Sequence, residues 1–77
     1  MEYKKYNYKV WIRDAETIDI GSVSELIGGE EIHGPSIIYV RCDIKGIQLR
    51  LRVLKDKGIG VKRLMNQERA WNWVAVG

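Results

Sequence analysis

The stretch Ile37-Ile38-Tyr39-Val40-Arg41-Cys42-Asp43-Ile44-Lys45-Gly46-Ile47-Gln48-Leu49-Arg50-Leu51-Arg52-Val53-Leu54 decides how the fold is read. Apolar residues alternate on both sides of Lys45-Gly46, and two residues are the length of a tight hairpin turn, although Lys-Gly is a weaker turn pair than Asn-Gly. In that register 44 faces 47, 42 faces 49, 40 faces 51 and 38 faces 53. Ile44, Ile47, Cys42, Leu49, Val40, Leu51, Ile38 and Val53 then share one wholly apolar face, while Ile37, Tyr39, Arg41, Asp43, Gln48, Arg50, Arg52 and Leu54 share the other. A slip of one residue would mix the two sets, so the pattern predicts a well-registered hairpin with strands over 37–44 and 47–54.

Working back toward the N-terminus, Glu30-Glu31-Ile32-His33-Gly34-Pro35 reads as a connecting loop, because Gly-Pro interrupts regular structure. Ser22-Val23-Ser24-Glu25 fits a capping box, Val23, Leu26 and Ile27 follow at helical spacing, and Gly28-Gly29 supplies a stop, which predicts one short helix over 22–28. Before it, Ile18 and Ile20 alternate with Thr17 and Asp19 as a short strand reached by a turn at Asp14-Ala15-Glu16. Tyr6, Tyr8, Val10 and Ile12 alternate with Asn7, Lys9, Trp11 and Arg13 as a first strand.

Toward the C-terminus, Asp56-Lys57-Gly58 marks a turn. Val61, Leu64 and Met65 suit a helix, whereas Ile59, Val61, Arg63 and Met65 suit a strand, and the strand is favoured. Trp71, Trp73 and Ala75 alternate with Asn72, Val74 and Val76 in a last strand, with the two tryptophans expected to face the core. The elements together predict a single α+β domain over 1–77: a curled antiparallel sheet of five or six strands with one short helix, or alternatively a small β-barrel. The expected core is Tyr8, Val10, Ile12, Ile18, Ile20, Leu26, Ile27, Ile38, Val40, Ile44, Leu49, Leu51 and Val53, with one face of the last strand.

Composition narrows the function classes. With 45% hydrophobic and 30% charged residues the chain is an ordinary globular mixture, and its 77 residues suit one domain rather than two. No apolar run is long enough to span a bilayer and the N-terminus leads into no signal-peptide core, so a cytoplasmic location without membrane contact is expected. One cysteine, Cys42, excludes an internal disulfide, and one histidine, His33, leaves zinc poorly supplied with ligands. Cys42 on an apolar face reads as a small buried hydrophobe, and His33 beside Glu30 and Glu31 is weak support for acid–base chemistry. Gly58-Ile59-Gly60 lacks the further residues of a phosphate loop. The expectation is a non-enzymatic protein without cofactor or metal.

The net charge of +3 is unevenly spread. Residues 1–13 sum to +3 and residues 36–77 to +6, while residues 14–35 hold Asp14, Glu16, Asp19, Glu25, Glu30 and Glu31 with no Lys or Arg, giving −6. Such a dipole steers a partner of either sign. In the hairpin register Arg41 opposes Arg50 and Tyr39 opposes Arg52, a like-charge juxtaposition that an anionic partner would relieve. Trp11 falls on a face with Lys9 and Arg13.

Two functions follow as expectations. The first is protein binding, as a stand-alone inhibitor or adaptor of the kind a phage or mobile element encodes, acting on a nucleic-acid-processing host protein. It would use the Tyr39/Arg41/Arg50/Arg52 face or the acidic residues Asp14, Glu16, Asp19, Glu30 and Glu31. The second is direct nucleic-acid binding through Tyr39, Arg41, Arg50 and Arg52, with Trp11, Lys9 and Arg13 beside them. A second copy of the chain, paired along a sheet edge, is a further candidate partner.

Overall fold

The structure, a computed structural model, describes residues 7–66 and the backbone of 72–74. Along the chain run β1 (Tyr8–Ile12), a 3-10 turn (Ala15–Thr17), α1 (Ile20–Leu26), β2 (Glu31–His33), β3 (Ile37–Val40), α2 (Ile44–Asp56), β4 (Val61–Asn66) and β5 (Asn72–Val74). The strands lie in the order β2-β3-β1-β4-β5, and each pairs antiparallel with its neighbours. It follows that β1 and β2 run parallel with β3 between them, and β3 and β4 run parallel with β1 between them. Two split β-α-β units are thereby interleaved, the β-α-β-β-α-β arrangement. The α+β class and antiparallel sheet are those expected from the sequence, and the described strands form an open sheet with β2 and β5 at its ends, not a barrel.

The largest departure is the hairpin. Residues 44–56 form a helix, not a strand, and the expected single helix becomes two. Asp43 caps α2 by accepting from the Gly46 N–H at 2.6 Å, which satisfies one of the orphan donors of the first turn. The body of α2 is rich in Leu, Arg, Lys and Gln, all good helix formers, and it turns Ile47, Leu51 and Leu54 toward the core at helical spacing. Ile47 and Leu54 are fully buried, whereas Ile44 and Leu49, expected in the core, are exposed. Val53 is half-buried.

Helix α1 starts two residues earlier than the capping box suggests. Asp19 is the cap, accepting from the Gly21 N–H and from the Ser22 hydroxyl, so Ser22 donates to a cap instead of serving as one. These bonds to the ionised carboxylate, that from Ser22 foremost, hold the Asp19 carboxyl below its ordinary pKa. The segment 17–20 is therefore no strand, and Ile18 and Ile20 pack against the core only in part. Val23 and Ile27 face inward while Leu26 is exposed. Gly28 ends the helix at φ +65°, the left-handed conformation expected there. The loop expected over 30–35 contains β2. Residues 61–66 form the favoured strand, and the expected inward facing of Trp71 and Trp73 lies outside the described residues.

The core occupies one side of the sheet. Tyr8, Val10 and Ile12 of β1, Ile38 and Val40 of β3 and Leu64 of β4 are buried in one cluster with Val23 and Ile27 of α1 and Ile47 and Leu54 of α2. Both helices thus cover the same face. Arg50 joins them: its Nε donates to the Ile27 carbonyl at 2.8 Å and its Nη1 to the Gly46 carbonyl at 3.0 Å. An arginine of α2 thereby satisfies a carbonyl left over at the end of α1.

Candidate functional site: the helix-free sheet face

Because side chains alternate along a strand, the residues between the core positions point away from the helices. Two rows result from the register. One runs His33–Ile37–Trp11–Arg63 and the next Glu31–Tyr39–Lys9–Met65 across β2, β3, β1 and β4. An aromatic residue stands on each central strand, Trp11 on β1 and Tyr39 on β3, with a cation next to it in its row.

The cations are placed against the rings. Lys9 Nζ lies 5.7 Å from the centre of the Tyr39 ring, and Lys62 Nζ lies 4.5 Å from the centre of the Trp11 ring. Lys62 reaches Trp11 because β4 carries an irregularity there: Trp11 pairs with Arg63 but Ile12 pairs with Val61, leaving Lys62 as the extra residue of a bulge. Bulges re-aim a side chain in this way. Tyr39 is 3% exposed, with the His33 ring edge-on at 5.4 Å, so it forms the floor of this face. Trp11 and Ile37 remain half-exposed, and with Lys9 and Met65 they line a depression of about 140 Å³.

A larger cleft, of about 420 Å³, opens where β1 ends. Trp11, Arg13, Lys62, Asp14 and Glu16 line it, together with Pro35 and Ser36. Its volume falls in the range of small-molecule sites. Arg13 is anchored by its N–H to the Gly60 carbonyl at 2.9 Å. Asp14 occupies the left-handed region at φ 53°, ψ 40°, which Asp tolerates better than most residues. Its carbonyl accepts from the Thr17 N–H and hydroxyl, yet its carboxylate does not cap the 3-10 turn.

The structure separates the residues that the hairpin register would have united. Of the seven binding candidates, Tyr39, Trp11 and Lys9 share the helix-free face, and Arg13 sits at its end. Arg41 follows β3, is exposed, and pairs with Glu30 at 3.2 Å. Arg50 is committed to the two carbonyls, and Arg52 is exposed on α2. Arg41 does not oppose Arg50, nor Arg52 Tyr39, because 47–54 is helical. The acidic residues are likewise divided: Asp14, Glu16 and Asp19 at the corner between β1 and α1, Glu30 on Arg41, and Glu31 beside Tyr39.

Lys62 and Arg63 are the functional candidates that the sequence reading passed over. Their signal was the spacing of three positions from Val61 to Leu64, a break in alternation that a bulge explains. Cys42 is half-buried, and burial pushes its thiol pKa up, partly opposed by the nearby Arg50 charge, which removes thiolate character. Among the described residues no three His, Cys, Asp or Glu side chains cluster as a metal site, and no helix is long and apolar enough to cross a membrane. Comparison with family models, curated proteins and solved structures gives no match.

Proposed function

We propose that this chain is a non-enzymatic binding module that takes single-stranded nucleic acid on the helix-free face of its sheet. The observation that carries the reading is Trp11: a half-exposed indole on a central strand with an ammonium 4.5 Å from its ring centre and Lys9, Arg13 and Arg63 on the same side of the molecule. Bases stack on such rings whatever their identity, and the cations neutralise the phosphates that follow. A strand of exposed bases can lie on a sheet, whereas a duplex hides its base faces. RNA-recognition modules use aromatic residues of a four-stranded sheet in this manner, an analogy of architecture; the argument here rests on the chemistry around Trp11.

The test is fluorescence anisotropy with a labelled single strand and the corresponding duplex at low and high salt. Tighter binding of the single strand is expected, falling with salt, and Trp11→Ala should weaken it by about 5- to 100-fold, the range that loss of one stacked base spans. Absence of binding at low salt, or a Trp11→Ala variant that binds like the parent, would overturn the proposal.

A protein partner is the second reading, favoured by a separate observation. Leu26, Ile44 and Leu49 are 42%, 54% and 58% exposed on the helical layer, on the two helices that Arg50 joins. An inhibitor or adaptor would use that side. A stoichiometric protein captured from source-cell lysate by the parent chain, and lost on Leu49→Asp, would support it.

A further inference from the structure

The cleft at the end of β1 holds two kinds of charge that do not neutralise one another. Arg13 and Lys62 line it together with Asp14 and Glu16, and no ion pair joins them. The Asp14 backbone is left-handed instead of the extended conformation of a capping residue, so its carboxylate is not drawn into the 3-10 turn. A purely anionic ligand would leave the carboxylates opposed, and a cation would leave Arg13 and Lys62 opposed. A ligand with a phosphate at one end and a donor edge at the other satisfies both.

We propose that this cleft is a guanine-selective nucleotide subsite: Trp11 stacks the base, Asp14 and Glu16 accept from its Watson–Crick edge, and Arg13 and Lys62 hold the adjoining phosphate. Guanine is the nucleobase whose Watson–Crick edge presents two adjacent donors, N1–H and the N2 amino group, to a carboxylate. Adenine and cytosine put an acceptor next to their amino donor, and uracil flanks its single N–H with carbonyls. A carboxylate facing those edges meets a lone pair, which discriminates against them. The bulge puts Lys62 over the Trp11 ring, so a base that stacks there displaces its ammonium, which then reaches the adjoining phosphate, and Pro35 and Ser36 line the same cleft. The inference rests on the sheet-face reading and adds base preference to it.

The experiment compares short labelled oligouridines that differ in one central nucleotide, guanosine, adenosine, cytidine or uridine, binding to the parent chain and to Asp14→Asn/Glu16→Gln. Asn adopts the left-handed backbone as readily as Asp, so the variant keeps the turn. The guanosine oligomer is expected to bind about tenfold more tightly than the others, the scale of one bidentate base contact, and the variant should lose that preference; removing two negative charges tightens all four oligomers alike, so the ratio between them is the readout. Equal binding of all four oligomers, or a guanosine preference that survives in the variant, overturns the subsite and leaves the sheet-face proposal standing. Failure of every oligomer to bind at low salt overturns both.

Discussion

The two faces of the sheet are built from the same strands and differ in almost everything else. On the helix-covered face Val10, Ile38 and Val40 are completely buried, with no polar atom among their side chains. On the other face the intervening residues of those strands are Lys9, Trp11, Ile37 and Tyr39, where each aromatic ring has an ammonium within 6 Å. Desolvation drives the first arrangement and is paid back by area removed from water. The second keeps ammonium groups beside a half-exposed Trp11 ring and a buried Tyr39 ring, a layout that suits the proposed recognition of an anionic, planar partner. One face therefore carries stability and the other is the face proposed to bind, and substitutions on the two should separate these quantities.

The sharpest break of that comparison uses adjacent residues. Ile38→Ala, on the covered face, should cost about 2–5 kcal/mol, a large part of the roughly 4–12 kcal/mol available to a domain of this size, as read from urea unfolding. Ile37→Ala, one residue away and half-exposed, should cost about 1 kcal/mol or less in the same experiment. Equal losses would mean that both faces are core.

Next in size is Gly29. A Cβ there would intrude on Ile38 Cγ2 and Ser24 Oγ, and the Gly29 N–H is already bonded to the Ser24 carbonyl at 2.7 Å. Gly29→Ala should destabilise by about 1–3 kcal/mol through overpacking, measured as a lowered denaturation midpoint with unchanged slope. The arginines sharpen the contrast further. Arg50→Met should lose about 1–3 kcal/mol by leaving the Ile27 carbonyl without its side-chain donor, whereas Arg41→Ala, which removes an exposed ion pair, should lose at most about 1 kcal/mol.

The smallest effect is one of pH. Asp19 has its folded pKa depressed by hydrogen bonds from Ser22 and Gly21, so its contribution is present above the unfolded-state value and is lost as pH falls through the folded one. The stability gap between the parent chain and Asp19→Asn should therefore narrow between neutral and strongly acidic pH. A gap that widens on acidification would contradict the assigned bonds.

Legibility in the sequence followed the same division of forces. The strand at 8–12 is readable because Tyr8, Val10 and Ile12 alternate and no competing period runs through them. The stretch 44–56 carries two periods at once: Ile47, Leu49, Leu51 and Val53 alternate, and Ile44, Ile47, Leu51 and Leu54 recur at helical spacing. Asp43 as a cap and the weight of Leu, Arg, Lys and Gln decide for the helix, and Lys45-Gly46 offers little to a turn. Misassigning this one element moved Arg41, Arg50 and Arg52 onto a face they do not share, while Trp11 and Lys9 kept their place because β1 was assigned from clean alternation, and Tyr39 stayed on the strand 37–40 that survives from the expected hairpin. The cleft was not legible, since it depends on the pairing of β1 with β4 that brings Lys62 to Trp11 and on a left-handed Asp14 at the turn that follows β1.

The measurement that tests the division of faces most directly is a titration of the isotopically labelled chain with a short single-stranded oligonucleotide, followed by amide and indole NMR shifts. The account expects the largest changes at Trp11, Lys9, Lys62 and Arg63, with the outer surface of α2 around Leu49 and Arg52 unmoved. Changes concentrated on α1 and α2 while Trp11 stays fixed would contradict it.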